Sequence, residues 1–110
     1  MMKLAMSPAA AGLLRALLSR VGVDRNRILL SDFRSTDWHS LTLAGERHRI
    51  HLRVPGPGAA AVAQRLTHDL GEAEFSIPGQ IVADIAVEGA MIEHADGAVS
   101  LTIEALTVEE

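Results

Sequence analysis

Residues Arg47–Val54 read RHRIHLRV, and whether they form a strand or a helix decides the fold. Ile50, Leu52 and Val54 alternate strictly with charged residues, a period of two that predicts a strand buried on one side. On a strand His48 and His51, three apart, point to opposite faces and cannot chelate one metal; on a helix they would share a face. The expected arrangement puts His48, Ile50, Leu52 and Val54 inward. Arg47, Arg49, His51 and Arg53 then form a basic row facing outward.

The turn before this strand sets its register. Gly45-Glu46 suits a two-residue type II′ turn, with glycine at the first central position. That turn pairs Ala44 with Arg47, Leu41 with Ile50 and Trp38 with Arg53. It predicts His39, Leu41 and Leu43 inward, Trp38, Ser40, Thr42 and Ala44 outward, and a cation–π contact of Trp38 with Arg53. In the last hairpin, Ala95-Asp96-Gly97 suits a three-residue loop with Gly97 left-handed. It pairs Met91 with Leu101 and Gly89 with Ile103, turns Ile81, Ala83, Ile85, Val87, Met91, Val99, Leu101 and Ile103 inward, and suggests a bulge near Ala105–Leu106.

Working outward, two helices are expected. Ser7 caps the first and Pro8 fits its first position; Leu13, Leu14, Leu17, Leu18 and Val21 form its stripe and Gly22 ends it. The second runs from Pro57 to Leu70, with Ala59, Val62, Ala63, Leu66 and Leu70 on one face and Gly71 as its stop. Strands are expected at Arg27–Phe33, Trp38–Ala44, Arg47–Val54, Ala73–Ile77, Gln80–Glu93 and Ala98–Val108. The fold class is therefore α+β, one antiparallel sheet of about six strands with two helices on one face. The order helix, three strands, helix, three strands suggests an internal duplication of an αβββ unit at 1–54 and 55–110, or βαββ if Lys3–Met6 is a strand.

With 110 residues the chain suits one domain, 1–110, that buries roughly two-thirds of its extended surface. It has no cysteine, which excludes disulfides and thiolate chemistry and suits a reducing, cytoplasmic setting. The N-terminal apolar run is broken by Arg15 and Arg20, unlike a secretory signal, and no run reaches the ~18 apolar residues of a membrane span. Alanine and arginine usage is bacterial in style. Residues 1–54 hold nine Lys/Arg against four Asp/Glu, and residues 55–110 hold one against ten, for a net charge of −4. Either the protein has a basic and an acidic side, or the halves lie together and neutralise each other across strands.

The basic row with Trp38 is the strongest binding candidate, because Arg and Trp are enriched at interface hot spots. Only Phe33, Phe75 and Trp38 are aromatic, and the acidic chain would repel phosphate outside the row, so nucleic acid is the least favoured partner. Gly56 and Gly58 in VPGPG, before the second helix, form a candidate anion loop without the lysine of a P-loop. Ser31-Asp32, Ser35-Thr36-Asp37 and His39 offer a nucleophile, acid and base close in sequence, but STDW reads better as a turn. His39 and His48 share the inward face, where a metal would need a third ligand. His68-Asp69 sits near a helix end, and Glu93-His94 flanks the last turn. No motif calls for a cofactor, a metal or a catalytic group. The expected role is a non-enzymatic binding or assembly module, contacting a protein partner or another copy through the basic sheet face or a sheet edge. The rival is a small ligand-binding protein or enzyme with a pocket between helices and sheet near His39, His48 and Asp37.

Overall fold

The computed structural model describes residues 6–22 and 27–110. Its elements are α1 (Pro8–Ser19), β1 (Leu29–His39), β2 (Ala44–Val54), α2 (Ala59–Thr67), a 3-10 turn (Leu70–Glu72), β3 (Gln80–Glu93) and β4 (Val99–Glu109). The strands form one antiparallel sheet in the order β1-β2-β4-β3. The α+β class with a single antiparallel sheet and two helices is as expected. Six strands, and the internal duplication that rested on them, are not supported: four strands are found. The suggested strand at Lys3–Met6 falls outside the described residues except for Met6, which is not in a strand.

Two differences account for the strand count. The expected break at Ser35-Thr36-Asp37 does not occur, because β2 supplies a continuous partner and these residues oppose His48, Arg47 and Glu46. Ala73–Ile77 makes no ladder; only Ile77 bridges, to Gln80 across the Pro78-Gly79 turn, with Gly79 at φ 74° as a type II turn needs. Ile77 instead packs on α1, where a Cβ on Gly12 would meet its Cγ2 at 2.7 Å.

The core is aliphatic. Leu13, Leu17 and Val21 from the α1 region and Val62, Ala63 and Leu66 from α2 pack over Ile50, Leu52 and Val54 of β2 and Leu101 and Ile103 of β4. β2 shows the predicted alternation: Ile50, Leu52 and Val54 are buried while Arg47 and Arg49 are exposed. α1 starts where expected, with Ser7 Oγ accepting the Ala10 N–H at 3.1 Å. The same hydroxyl donates to Glu46 Oε1 at 2.7 Å and so ties the helix start to β2. α2 is shorter than predicted. Gly58, left-handed at φ 79°, precedes it, and His68 turns extended before Asp69 takes φ 49°. Asp69, not Gly71, is the stop, as a short polar side chain tolerates that conformation.

The first hairpin turns elsewhere than predicted. Its loop is Ser40–Leu43, closed by the Ser40 N–H donating to the Leu43 carbonyl at 2.8 Å, with Ser40 Oγ accepting the Leu43 N–H at 3.1 Å. Gly45 is a strand residue paired with Trp38 and Val108. A Cβ there would stand 1.9 Å from the Thr107 carbonyl oxygen, so glycine serves a close strand approach, not a reversal. Leu41 and Leu43 are exposed, not inward. At the second hairpin Gly97 is left-handed at φ 88° as predicted. The ladder starts at Glu93↔Val99 and then slips, so that Val87, not Gly89, opposes Ile103. Gly89 (φ 67°), Ala90 and Met91 bulge against Leu101, and a second irregularity near Ala83 faces Leu106–Thr107, close to the expected bulge. Ile81, Ala83 and Met91 are consequently exposed, while Ile85 keeps its place inside.

Candidate functional site

Both helices cover one sheet face; among the described residues no element covers the other. Strand parity sends Arg34, Thr36 and Trp38 of β1, Arg47, Arg49, His51 and Arg53 of β2, and Ser100, Thr102 and Glu104 of β4 to this face. The cross-strand rows run Thr36–Arg47–Leu106, Arg34–Arg49–Glu104, Asp32–His51–Thr102 and Leu29–Arg53–Ser100. The predicted basic row thus exists on β2, but acidic residues interleave it. Arg49 binds Glu88 at 2.6 Å and reaches Glu104 at 3.8 Å; Arg53 binds Asp96 at 3.0 Å. His51 Nδ1 is hydrogen-bonded to Thr102 Oγ1 at 2.7 Å. The halves neutralise each other across strands here, the plainer of the two arrangements the sequence allowed.

Arg34 was missed in the sequence because the predicted turn placed it outside the hairpin. The observed register sets it directly opposite Arg49. Arg34, Arg47 and Arg49 line a shallow recess of about 220 Å³ with Thr36 and Glu104. The Trp38–Arg53 contact does not form: Trp38 opposes Gly45 and Arg53 opposes Leu29, at opposite ends of the hairpin. A cation–π pair among the described residues instead sets Arg20 over Phe75, 5.9 Å from the ring centre.

His48 is a hydrogen-bonded core residue, 3% exposed. Its Nδ1 pairs with Ser35 Oγ and its Nε2 with Thr107 Oγ1, each at 2.8 Å. Burial lowers its pKa, offset in part by the Glu46 carboxylate. A hydroxyl on each ring nitrogen satisfies the imidazole but supplies no carboxylate to orient a general base. The space beside it, lined by Leu14, Phe33, Ser35 and Ile50, measures about 10 Å³, room for one water at most. Asp37 and His39 lie instead at the end of the sheet, around a recess shared with Trp38, Glu46 and Gln80. The structure therefore does not gather His39, His48 and Asp37 around one pocket. No cluster of three metal-ligating side chains occurs among the described residues.

The other candidates also separate. Gly56 lies where a Cβ would meet the Asp96 and Gly97 carbonyl oxygens at 3.3–3.4 Å; acceptors there oppose an anion. Gly58 precedes α2 in the left-handed conformation. Ser31 falls at the β1 bulge, and Asp32 opposes His51. His68 and Asp69 pair with each other in the open, and His94 binds Ser100. Asp96 caps the last turn through the Ala98 N–H at 3.0 Å. That bond lowers its pKa most, helped by Arg53 and His94.

No protein family, curated protein or solved structure shows significant similarity to the chain.

The described helices include none long and apolar enough to cross a membrane. The large exposed apolar side chains among the described residues have a common address. Leu29, Leu30, Leu41, Leu43, Ile81, Met91 and Ile92 all belong to the edge strands β1 and β3 or to the β1–β2 loop. Scattered single leucines are ordinary on any surface; here they gather along the edges.

Proposed function

We propose that this chain is a non-enzymatic binding and assembly module whose sheet makes the contact and whose first partner is another copy of itself. The observation that carries this reading is the confinement, among the described residues, of large exposed apolar side chains to the sheet edges and hairpin loop. Edge strands offer unpaired backbone groups as well as side chains, and pairing them is a low-cost route to a dimer. The half-exposed Arg49 and Arg53 already have acidic partners, which favours an edge over the basic face as the main contact. Arg34, Arg47 and Trp38 border that edge and would contribute polar and aromatic contacts at its rim. A cysteine-free chain suits assembly in a reducing, cytoplasmic compartment.

Sedimentation velocity of the full chain over a range of concentrations tests the reading. A concentration-dependent dimer is expected, weakened in the Trp38→Ala/Arg34→Glu double variant, whose two positions lie on the edge strand β1. A monomer at every concentration would refute self-association.

A further inference from the structure

Resting on that assembly reading, we infer that the dimer forms by antiparallel pairing of β1 with β1 of a second copy, about a two-fold axis at Thr36. Among the described residues β1 ends the sheet, and from Asp32 to His39 it pairs with β2 without interruption. The Ser40–Leu43 hydrogen bond closes the hairpin in step with the His39↔Ala44 register. Hydrogen-bonded and non-hydrogen-bonded pairs alternate along an antiparallel ladder, so Arg34, Thr36 and Trp38 direct their backbone groups toward β2. Phe33, Ser35, Asp37 and His39 direct theirs to the open edge.

The edge is complementary to itself in the antiparallel sense. Leu29 and Leu30 lie at one end of β1; Leu41, fully exposed, and Leu43 lie in the loop beyond the other. Only an antiparallel second copy brings each leucine pair against the other, twice per dimer. The side chains then select the axis. Centred on Thr36, Ser35 meets Asp37 of the second copy as a hydrogen-bonded pair, and Arg34 meets Trp38 in cation–π geometry. An axis at Arg34 or at Asp37 opposes like charges. One at Ser35 sets Phe33 against Asp37, and one at Phe33 runs the incoming strand into the Ser31 irregularity. The other edge is guarded: β3 carries two register slips, Gly89 at φ 67° and the carboxylates Asp84, Glu88 and Glu93.

The chain has no cysteine, so single-cysteine variants report the axis directly. Thr36 would face its own copy in a non-hydrogen-bonded pair, whose Cα separation of about 4.5 Å falls within the range a disulfide spans. Under mild oxidation the Thr36→Cys chain is expected to cross-link almost completely at concentrations where the wild type is dimeric. Ser35→Cys, Asp37→Cys and Asp84→Cys on β3 should cross-link poorly. Leu41→Glu removes no contact within one copy, since that side chain is fully exposed, and should weaken the dimer about a hundredfold. A dimer that cross-links through Asp84→Cys, or through Ser35→Cys or Asp37→Cys in place of Thr36→Cys, overturns the β1 pairing or its axis while leaving assembly intact. A wild-type chain that stays monomeric overturns both.

Discussion

At the scale of single residues, His48 and Gly45 show how one side chain, or none, is fixed by its surroundings. The fold lowers the pKa of His48 because burial disfavours its charged form more than Glu46 restores it. The unfolded chain titrates near pH 6.5 and the folded chain lower, so between those values the unfolded state binds more protons. Stability should therefore be full above pH 6.5 and fall as the solution is acidified below it. Thermal melts from pH 7.5 to 5 should show this decline, and His48→Gln should flatten it. Gly45 has its Cβ position 1.9 Å from the Thr107 carbonyl oxygen. Gly45→Ala must push β2 away from β4, at a cost of about 3 kcal/mol measurable by denaturant unfolding. An alanine variant of unchanged midpoint would show that the strands do not approach so closely.

Among the elements, α1 is the most locally encoded. Its cap, its proline and its leucine stripe agree, and the Ser7–Glu46 hydrogen bond adds a tertiary tie at its start. Ser7→Ala should cost about 1 kcal/mol through the lost cap. The variant should also leave Glu46 without its donor, so Glu46→Gln in the Ser7→Ala background should cost less than in the wild type. β3 is the opposite case. Its residues alternate well enough to predict a long strand, but one irregularity takes Gly89–Met91 out of the ladder and the other, at Ala83, reverses which side chains face inward before it. Ile81 and Met91 become exposed and Val82 packs against the core. Gly89 was a visible signal of such a bulge; its position in the ladder depended on β4.

Across the whole molecule the sheet order places a basic first half beside an acidic second half. β2 pairs with β4, so Arg49 meets Glu104 and, one strand further, Glu88. These side chains are about half exposed, which limits each pair to below about 1 kcal/mol. Arg49→Ala should change the unfolding midpoint only slightly; a large loss would show that the network holds the sheet together. The charge imbalance that suggested a polar molecule is thus partly neutralised across strands. Among the described residues the large exposed apolar side chains lie along the edge strands and the β1–β2 loop.

The sequence by itself determined the α+β class, the approximate place of both helices, the faces of Arg47–Val54 and the opposition of His48 to His51. Each of these follows from a period or a cap contained within about ten residues. The tertiary structure alone decided which glycine turns and which admits a neighbouring strand. Gly45 satisfies either rule, and only the approach of Thr107 distinguishes them. It also decided that Ser35-Thr36-Asp37 extends rather than turns, since β2 pairs with all three. Arg34 acquired its place opposite Arg49, and Trp38 lost its place beside Arg53, for the same reason. A register is a relation between strands, and local propensity fixes it only when the turn is read correctly.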